Sequence, residues 1–196
     1  MIRATLLSAL LMTGGCAAHK IQYYQLSVFD KQARAAETGP SLTVARIATP
    51  MALQDGRIRY LESPNEVGAY EYHRWTDPPG ILVKESLVRV LRASGKFRSV
   101  EEAGSSAAVG DYSLRGKLLE FAEVDGPGIQ TRISLDLELR EGKTGRTVWS
   151  QTLTHDDPVQ AKKVSDVVQS LDRNLRVVLD EAAAAIGGYI AARPQR

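Results

Sequence analysis

Ile133-Ser134-Leu135-Asp136-Leu137-Glu138-Leu139 is the stretch that decides the fold. Apolar and polar side chains alternate through it, which puts one face of a strand in the core and the other in water. It lies inside a strand candidate over 129–140, with two more at 112–124 and 147–155. Gly126-Pro127-Gly128 and Gly142-Lys143-Thr144-Gly145 separate the three. Turn residues at those spacings predict an antiparallel meander.

Downstream the period changes from two to between three and four. Val164, Val168, Leu171, Leu175, Val178, Ala182, Ile186 and Tyr189 form one apolar stripe. That spacing predicts a helix starting near Val159 or Ser165 and ending at Ala192, buried along one side against the sheet. Gly187-Gly188 weakens its last turns and could kink it. Asp156-Asp157 read as acidic caps ahead of it.

Upstream, residues 22–29 alternate as a first strand, with Tyr24, Leu26 and Val28 on one face. Residues 30–40 are polar and end in Gly-Pro, a loop. Strands follow at 42–47, 57–61 and 67–74, with a turn at Ser63-Pro64-Asn65. Asp77 then stands as N-cap with Pro78 at the first helical position. Leu82, Val83, Ser86, Leu87, Val90 and Leu91 follow at helical spacing, and Ser94-Gly95 closes the helix. A short strand at 97–100 and a flexible stretch at 103–110 lead into the meander. The order strands, helix, strands, helix predicts an α+β fold. It would be a two-layer sandwich whose largely antiparallel or mixed sheet carries both helices on one face.

The N-terminus has a different character. Arg3 precedes a short, almost wholly apolar run from Ala4 to Met12, and Thr13-Gly14-Gly15-Cys16 follows. This is the layout of a secretory signal, and the run is too short for a membrane span. Cys16 falls where a bacterial lipoprotein signal peptidase leaves its lipidated first residue, although Thr13 stands where Leu is usual. The expected organisation is therefore a signal peptide at 1–15, a lipidated tether at 16–21 and a single domain at 22–192. A plain secretory peptide with an incidental cysteine stays open. Ala17, not Asp, follows Cys16, which under the sorting rule of enteric bacteria favours the outer membrane over the inner one.

Composition narrows the functional classes. Cys16 is the only cysteine, so the chain can form no internal disulfide and no Cys-based zinc site. Twenty-five basic residues face 23 acidic ones. Such a balance gives no electrostatic case for nucleic acid. His19, His73 and His155 lack metal-ligand spacing, and neither a phosphate-binding glycine loop nor a nucleophile elbow is present. The carboxylates at Glu101-Glu102 and Glu120–Glu123 cannot be brought together by sequence reasoning. The reading is a non-enzyme without cofactor or metal.

One cluster stands out just ahead of the first helix. Tyr70, Tyr72, Arg74 and Trp75 put four large planar side chains within six residues. These residue types dominate protein interface hot spots, so all four are candidate partner-binding residues. Strict alternation would set Tyr70, Tyr72 and Arg74 on one face and Glu71, His73 and Trp75 on the other. Trp75 packed between sheet and helix cap, with Arg74 merely solvated, is the plainer alternative.

Tyr24-Gln25-Leu26 resembles the Y-x-L opening of the ABC-type transport auxiliary lipoprotein component family. The strand at 42–47, Pro50 and Arg57-Ile58-Arg59-Tyr60 are similar to it as well. Tyr72-His73-Arg74-Trp75-Thr76-Asp77-Pro78 resembles that family's aromatic-x-R-W-small-x-P signature, with Thr76 where Ala is commoner. The likeness runs over about residues 22–190. It implies a lipoprotein accessory to an envelope lipid transport system. The expected partners are the membrane, through the lipid on Cys16, and mammalian-cell-entry-type or permease subunits; homo-oligomerisation stays open. The rivals are a lipoprotein of another envelope assembly or secretion apparatus, and a periplasmic hydrolase.

Overall fold

The computed structural model describes residues 19–27, 36–104, 110–161 and 163–193. Cys16, the signal segment, Val28, Phe29 and most of the two stretches expected as loops, 30–40 and 103–110, lie outside them. Among the described residues, eight strands and two helices follow in order. They are β1 (Gln22–Tyr24), β2 (Ser41–Ala48), β3 (Arg57–Ser63), β4 (Glu66–Trp75), α1 (Pro79–Ala93), β5 (Ser99–Glu102), β6 (Tyr112–Val124), β7 (Gln130–Glu141), β8 (Thr147–Pro158) and α2 (Val164–Ala191).

The sheet is mixed, and β6 is its hub. Along its whole length one edge of β6 takes β7 antiparallel, and β7 in turn takes β8, which is the expected meander. The other edge is shared. β2 runs parallel to residues 112–117, and β3 runs parallel to residues 122–124. The chain therefore passes β6 twice in the same direction, interrupted by a single 3-10 turn at Met51–Leu53. β5 extends the sheet beyond β2, and β4 followed by β1 extends it beyond β3.

The helices complete an α+β sandwich. Helix α1 packs on β2 and β5, α2 packs on β7 and β8, and the two helices touch. Between the layers lie Leu135, Leu137, Leu139, Leu171, Leu175, Val178 and Ile186, all fully buried. Six of the eight stripe positions of α2 are buried, and Val164 and Tyr189 pack against the core from its rim. The alternation in β7 and the three-and-four spacing in α2 thus meet at one interface. Helix α2 stays continuous through Gly187 and Gly188. A side chain at Gly187 would press on the Lys96 stem, 3.2 Å from its Cβ, so glycine there permits the close approach.

Three local expectations are corrected. Pro78, not Asp77, is the N-cap of α1, and no side chain caps it; Pro79 holds the first helical position. The tandem prolines explain the shift, because a residue before proline is pushed to extended backbone, and Pro78 has ψ 138°. Asp156 and Asp157 belong to β8 and cap nothing; α2 starts later, after Lys163. Asp156 pairs with Arg132 across the strands, whereas Asp157 reaches Ser170 and Arg173 on α2. The first strand ends at Tyr24, because the chain then leaves β4 for α2.

Candidate docking surface

The residues that follow the expected tether are tied down at both ends. β1 lies parallel to β4 at the sheet edge, with Gln22 opposite His73, Tyr23 opposite Arg74 and Tyr24 opposite Trp75. The Thr76 N–H donates to the Tyr24 carbonyl at 2.8 Å and carries the pairing one residue further. Leu26 then turns into the core. The Ser27 N–H donates to Asp172 Oδ1 at 2.9 Å, its hydroxyl bonds to the same carboxylate, and Arg176 donates to that hydroxyl at 2.7 Å. Asp172 and Arg176 are one turn apart on α2, so the six residues from Gln22 to Ser27 strap the sheet edge to the helix layer.

The aromatic segment sits in β4 beneath this strap. Pairing with β3 shifts between Arg57 opposite Arg74 and Arg59 opposite Ala69. Five steps along β4 oppose two along β3, so β4 bulges between 69 and 74 and simple alternation fails there. The consequence shows on β6. Tyr70 donates to Glu123 Oε2 at 2.6 Å, and the Trp75 ring lies 5.3 Å from the Phe121 ring. Phe121 and Glu123 are two residues apart and share the inward face, so Tyr70 and Trp75 both point inward. The expected division of the segment into two alternating faces is therefore wrong.

Each of the four candidate residues now has a place. Trp75 is only 3% exposed. The Tyr70 ring lies 5.1 Å from that of Tyr60 and 5.9 Å from that of His73. Burial pushes the Tyr70 hydroxyl well above the ordinary tyrosine value, and the Glu123 hydrogen bond adds to it. Tyr72 stacks on His19 with centroids 4.8 Å apart, and the neighbouring Glu71 raises its hydroxyl through charge and hydrogen bonding. Arg74 is half-buried and lies between Tyr23 on one side and Arg57 on the other; Arg57 is held by Asp55 at 2.7 Å. Only Tyr72 and Arg74 face outward. Glu71 joins them, since both Tyr70 and His73 turn in around the bulge.

Sequence reasoning missed several participants. Tyr60 closes over Gly68, where a Cβ would come within 2.2 Å of its ring, so any side chain there would displace the ring. His73 Nδ1 meets the Tyr24 hydroxyl at 2.9 Å. Exposed Ile21 and Tyr23 extend the outward face, and only their place at the end of the tether and just past it could have pointed to them. Among the described residues no group of His, Cys, Asp and Glu side chains could hold a metal ion.

The comparisons with known proteins agree with this fold. The chain matches the ABC-type transport auxiliary lipoprotein component model over residues 24–183. A crystal structure of a protein from Xanthomonas campestris superposes with a TM-score of 0.73 at 22% identity, covering 85% of this chain and 96% of that one. An uncharacterized protein gives 0.68 at 17% identity, covering 86% and 99%. A hypothetical protein from Chlamydia trachomatis gives 0.55 at 9% identity, covering 80% and 100%. At these identities the likeness concerns the fold alone. No curated protein matches the chain. The family match spans most of the sequence, and the chain belongs to the ABC-type transport auxiliary lipoprotein component family.

Proposed function

We propose that this chain is a membrane-anchored lipoprotein and a non-catalytic accessory subunit of an envelope lipid transport system. The family match over residues 24–183 carries the reading, and the sole cysteine, eight residues ahead of it, supports it. Acylation of Cys16 tethers the domain to the periplasmic face of the outer membrane. Several acyl chains hold far better than one. Tethering raises the local concentration of the domain near mammalian-cell-entry-type or permease subunits, which contribute the transport chemistry. Tyr70 and Trp75 hold the end of β4 in shape, and the outward pair Tyr72 and Arg74 is available for contact.

Two measurements test this. Cys16→Ser moves the domain to the soluble periplasmic fraction, while the wild type carries acyl mass on Cys16. Capture of the wild type from membranes brings down mammalian-cell-entry-type or permease subunits. A Ser variant that stays membrane-bound, with no acyl mass on the wild type, overturns the anchor. Secretion or assembly proteins in the capture overturn the transport role.

A further inference from the structure

We infer that the outward face formed by Ile21, Tyr23, Tyr72 and Arg74 rests on the lipid headgroup layer of the membrane that holds Cys16. The inference builds on the acylation of Cys16 proposed above. Chain length makes the first half of the argument. Cys16 precedes His19 by three peptide units, which span at most about 11 Å whatever their path. His19 stacks on Tyr72, and strand pairing fixes the chain from Gln22 onward, six peptide units and at most about 22 Å from Cys16. An acylated Cys16 places its glyceryl group at headgroup depth, so the β1–β4 edge cannot leave the neighbourhood of the bilayer. Most of the domain can turn away from the membrane, but this edge cannot.

Chemistry decides which surface near that edge turns to the lipid. Two compete. Because β1 and β4 run parallel, the chain from Tyr24 back to Gln22 heads in the same direction as β4 from Trp75 back toward the β3–β4 hairpin. An end-on stance would press this hairpin into the headgroups. The hairpin exposes Glu62 and Glu66, which lipid phosphates repel and which lose hydration on contact. The outward sheet face presents Ile21 at 38% exposure and Tyr23 at 63%, with half-buried Arg74 directly opposite Tyr23 in the register. Tyr72 and His19 continue the same band. Tyrosine rings settle at headgroup depth, and a guanidinium binds phosphate oxygens in a bidentate fashion. Two acidic groups border this face: Asp55 is paired with Arg57 and Arg59, and exposed Glu71 hydrogen-bonds with the Tyr72 hydroxyl while keeping its charge, against which Arg74 and Arg57 supply two cations. Exposed Tyr23 and Ile21 thus lie within a few residues of the lipid, where an apolar face costs nothing once the membrane covers it.

Site-specific depth measurement tests the stance on the full acylated chain. Acylation consumes the Cys16 thiol, so a single introduced cysteine takes the label alone. Tyr23→Cys, Glu66→Cys and Val177→Cys variants carry a bimane fluorophore in vesicles of phosphatidylethanolamine and phosphatidylglycerol that contain a headgroup-nitroxide lipid. Ile21→Cys repeats the Tyr23 position should that variant fold poorly. Val177, 45% exposed on α2, reports the helix layer on the far side of the sheet. The expected result is about twofold or stronger quenching at position 23 and little at 66 and 177, as expected for a face at headgroup depth. Stronger quenching at 66 than at 23 establishes the end-on stance and overturns the inference. So does an unquenched label at 23 that becomes immobilised as protein density rises, because a second copy or another protein then covers the face. Acyl mass and flotation with the vesicles are checked first on each variant. Absence of both overturns the anchoring reading itself and the inference with it, whereas acylated, floating protein unquenched at 23 overturns the stance alone.

Discussion

Tyr70 and Glu123 meet at 2.6 Å between β4 and β6, hydroxyl to carboxylate, at a site where the glutamate is only 2% exposed. A buried carboxylate needs hydrogen-bond donors, and Tyr70 supplies one. This turns a residue of the candidate docking segment into an internal brace. Tyr70→Phe keeps the ring and removes the donor. Its expected cost is about 1–3 kcal/mol, read from urea denaturation. A variant as stable as wild type would show that the contact contributes nothing to the fold.

Leu135 and Leu137 on β7 and Leu171 and Leu175 on α2 are fully buried where the two layers join. Truncating any one of them to Ala should cost about 2–5 kcal/mol, the lost transfer energy plus the cavity left behind. Losses under about 1 kcal/mol at all four positions would contradict this packing.

Asn174 is a polar residue on the buried side of α2, fully enclosed. Its amide nitrogen donates to the carbonyls of Thr131 and His155, both at 3.0 Å, and its Oδ1 meets His155 Nδ1 at 2.9 Å. One side chain therefore links the helix to two strands. Asn174→Leu keeps the branched outline with slightly more bulk and removes every one of these hydrogen bonds, for an expected loss of about 2 kcal/mol or more in the same denaturation assay.

The parts of the fold that were legible share a cause. In 133–139 and along α2, burial on one side imprints a period on the sequence, and the period survives without knowledge of neighbours. Pairing between distant strands leaves no such mark, and nothing in Leu42–Ile47 or in 57–61 announces that both line the same edge of β6. The bulge between Ala69 and Arg74 was invisible for a related reason. It adds residues without changing composition, yet it turns Tyr70 and Trp75 to the same side. Glu123 and Asn174 carry no mark of their burial in the sequence, because their partners lie 53 and 43 residues away in Tyr70 and Thr131. The tandem Pro78-Pro79 did carry the signal for the helix start, read one position too early.

Asp111 fastens the start of β2 to the start of β6. Its Oδ2 accepts from the Ser41 N–H and the Ser41 hydroxyl, both at 2.9 Å. These bonds, backbone first, hold its carboxyl below the ordinary aspartate value of 3.8, with Arg98 and Lys143 adding smaller attractions. A depressed carboxylate stabilises the fold above its unfolded value, and the contribution is lost as pH falls through the folded value. Asp111→Asn removes that dependence. Urea midpoints of wild type and variant should differ at neutral pH and converge below about pH 3.8. A gap that is constant with pH would assign the difference to packing and not to the charge.

Trp75 and Arg74 are chain neighbours with opposite surroundings, and the roles given to them separate on that basis. The Trp75 indole lies in the core against Phe121, and its N–H backbone donor reaches the Gly56 carbonyl at 2.7 Å, so it anchors the end of β4 just before α1. Trp75→Ala should cost about 3–5 kcal/mol, as for other buried aromatic truncations. Arg74 points outward between Tyr23 and Arg57, where its removal also relieves a like-charge neighbour. Arg74→Ala should change stability by about 1 kcal/mol or less and leave unfolding cooperative. Thermal melts with urea titrations on both purified variants give the comparison. Equal, large losses would make Arg74 a structural residue and withdraw it from the outward contact face; a small loss for Trp75→Ala would remove the anchor on which the shape of that face depends.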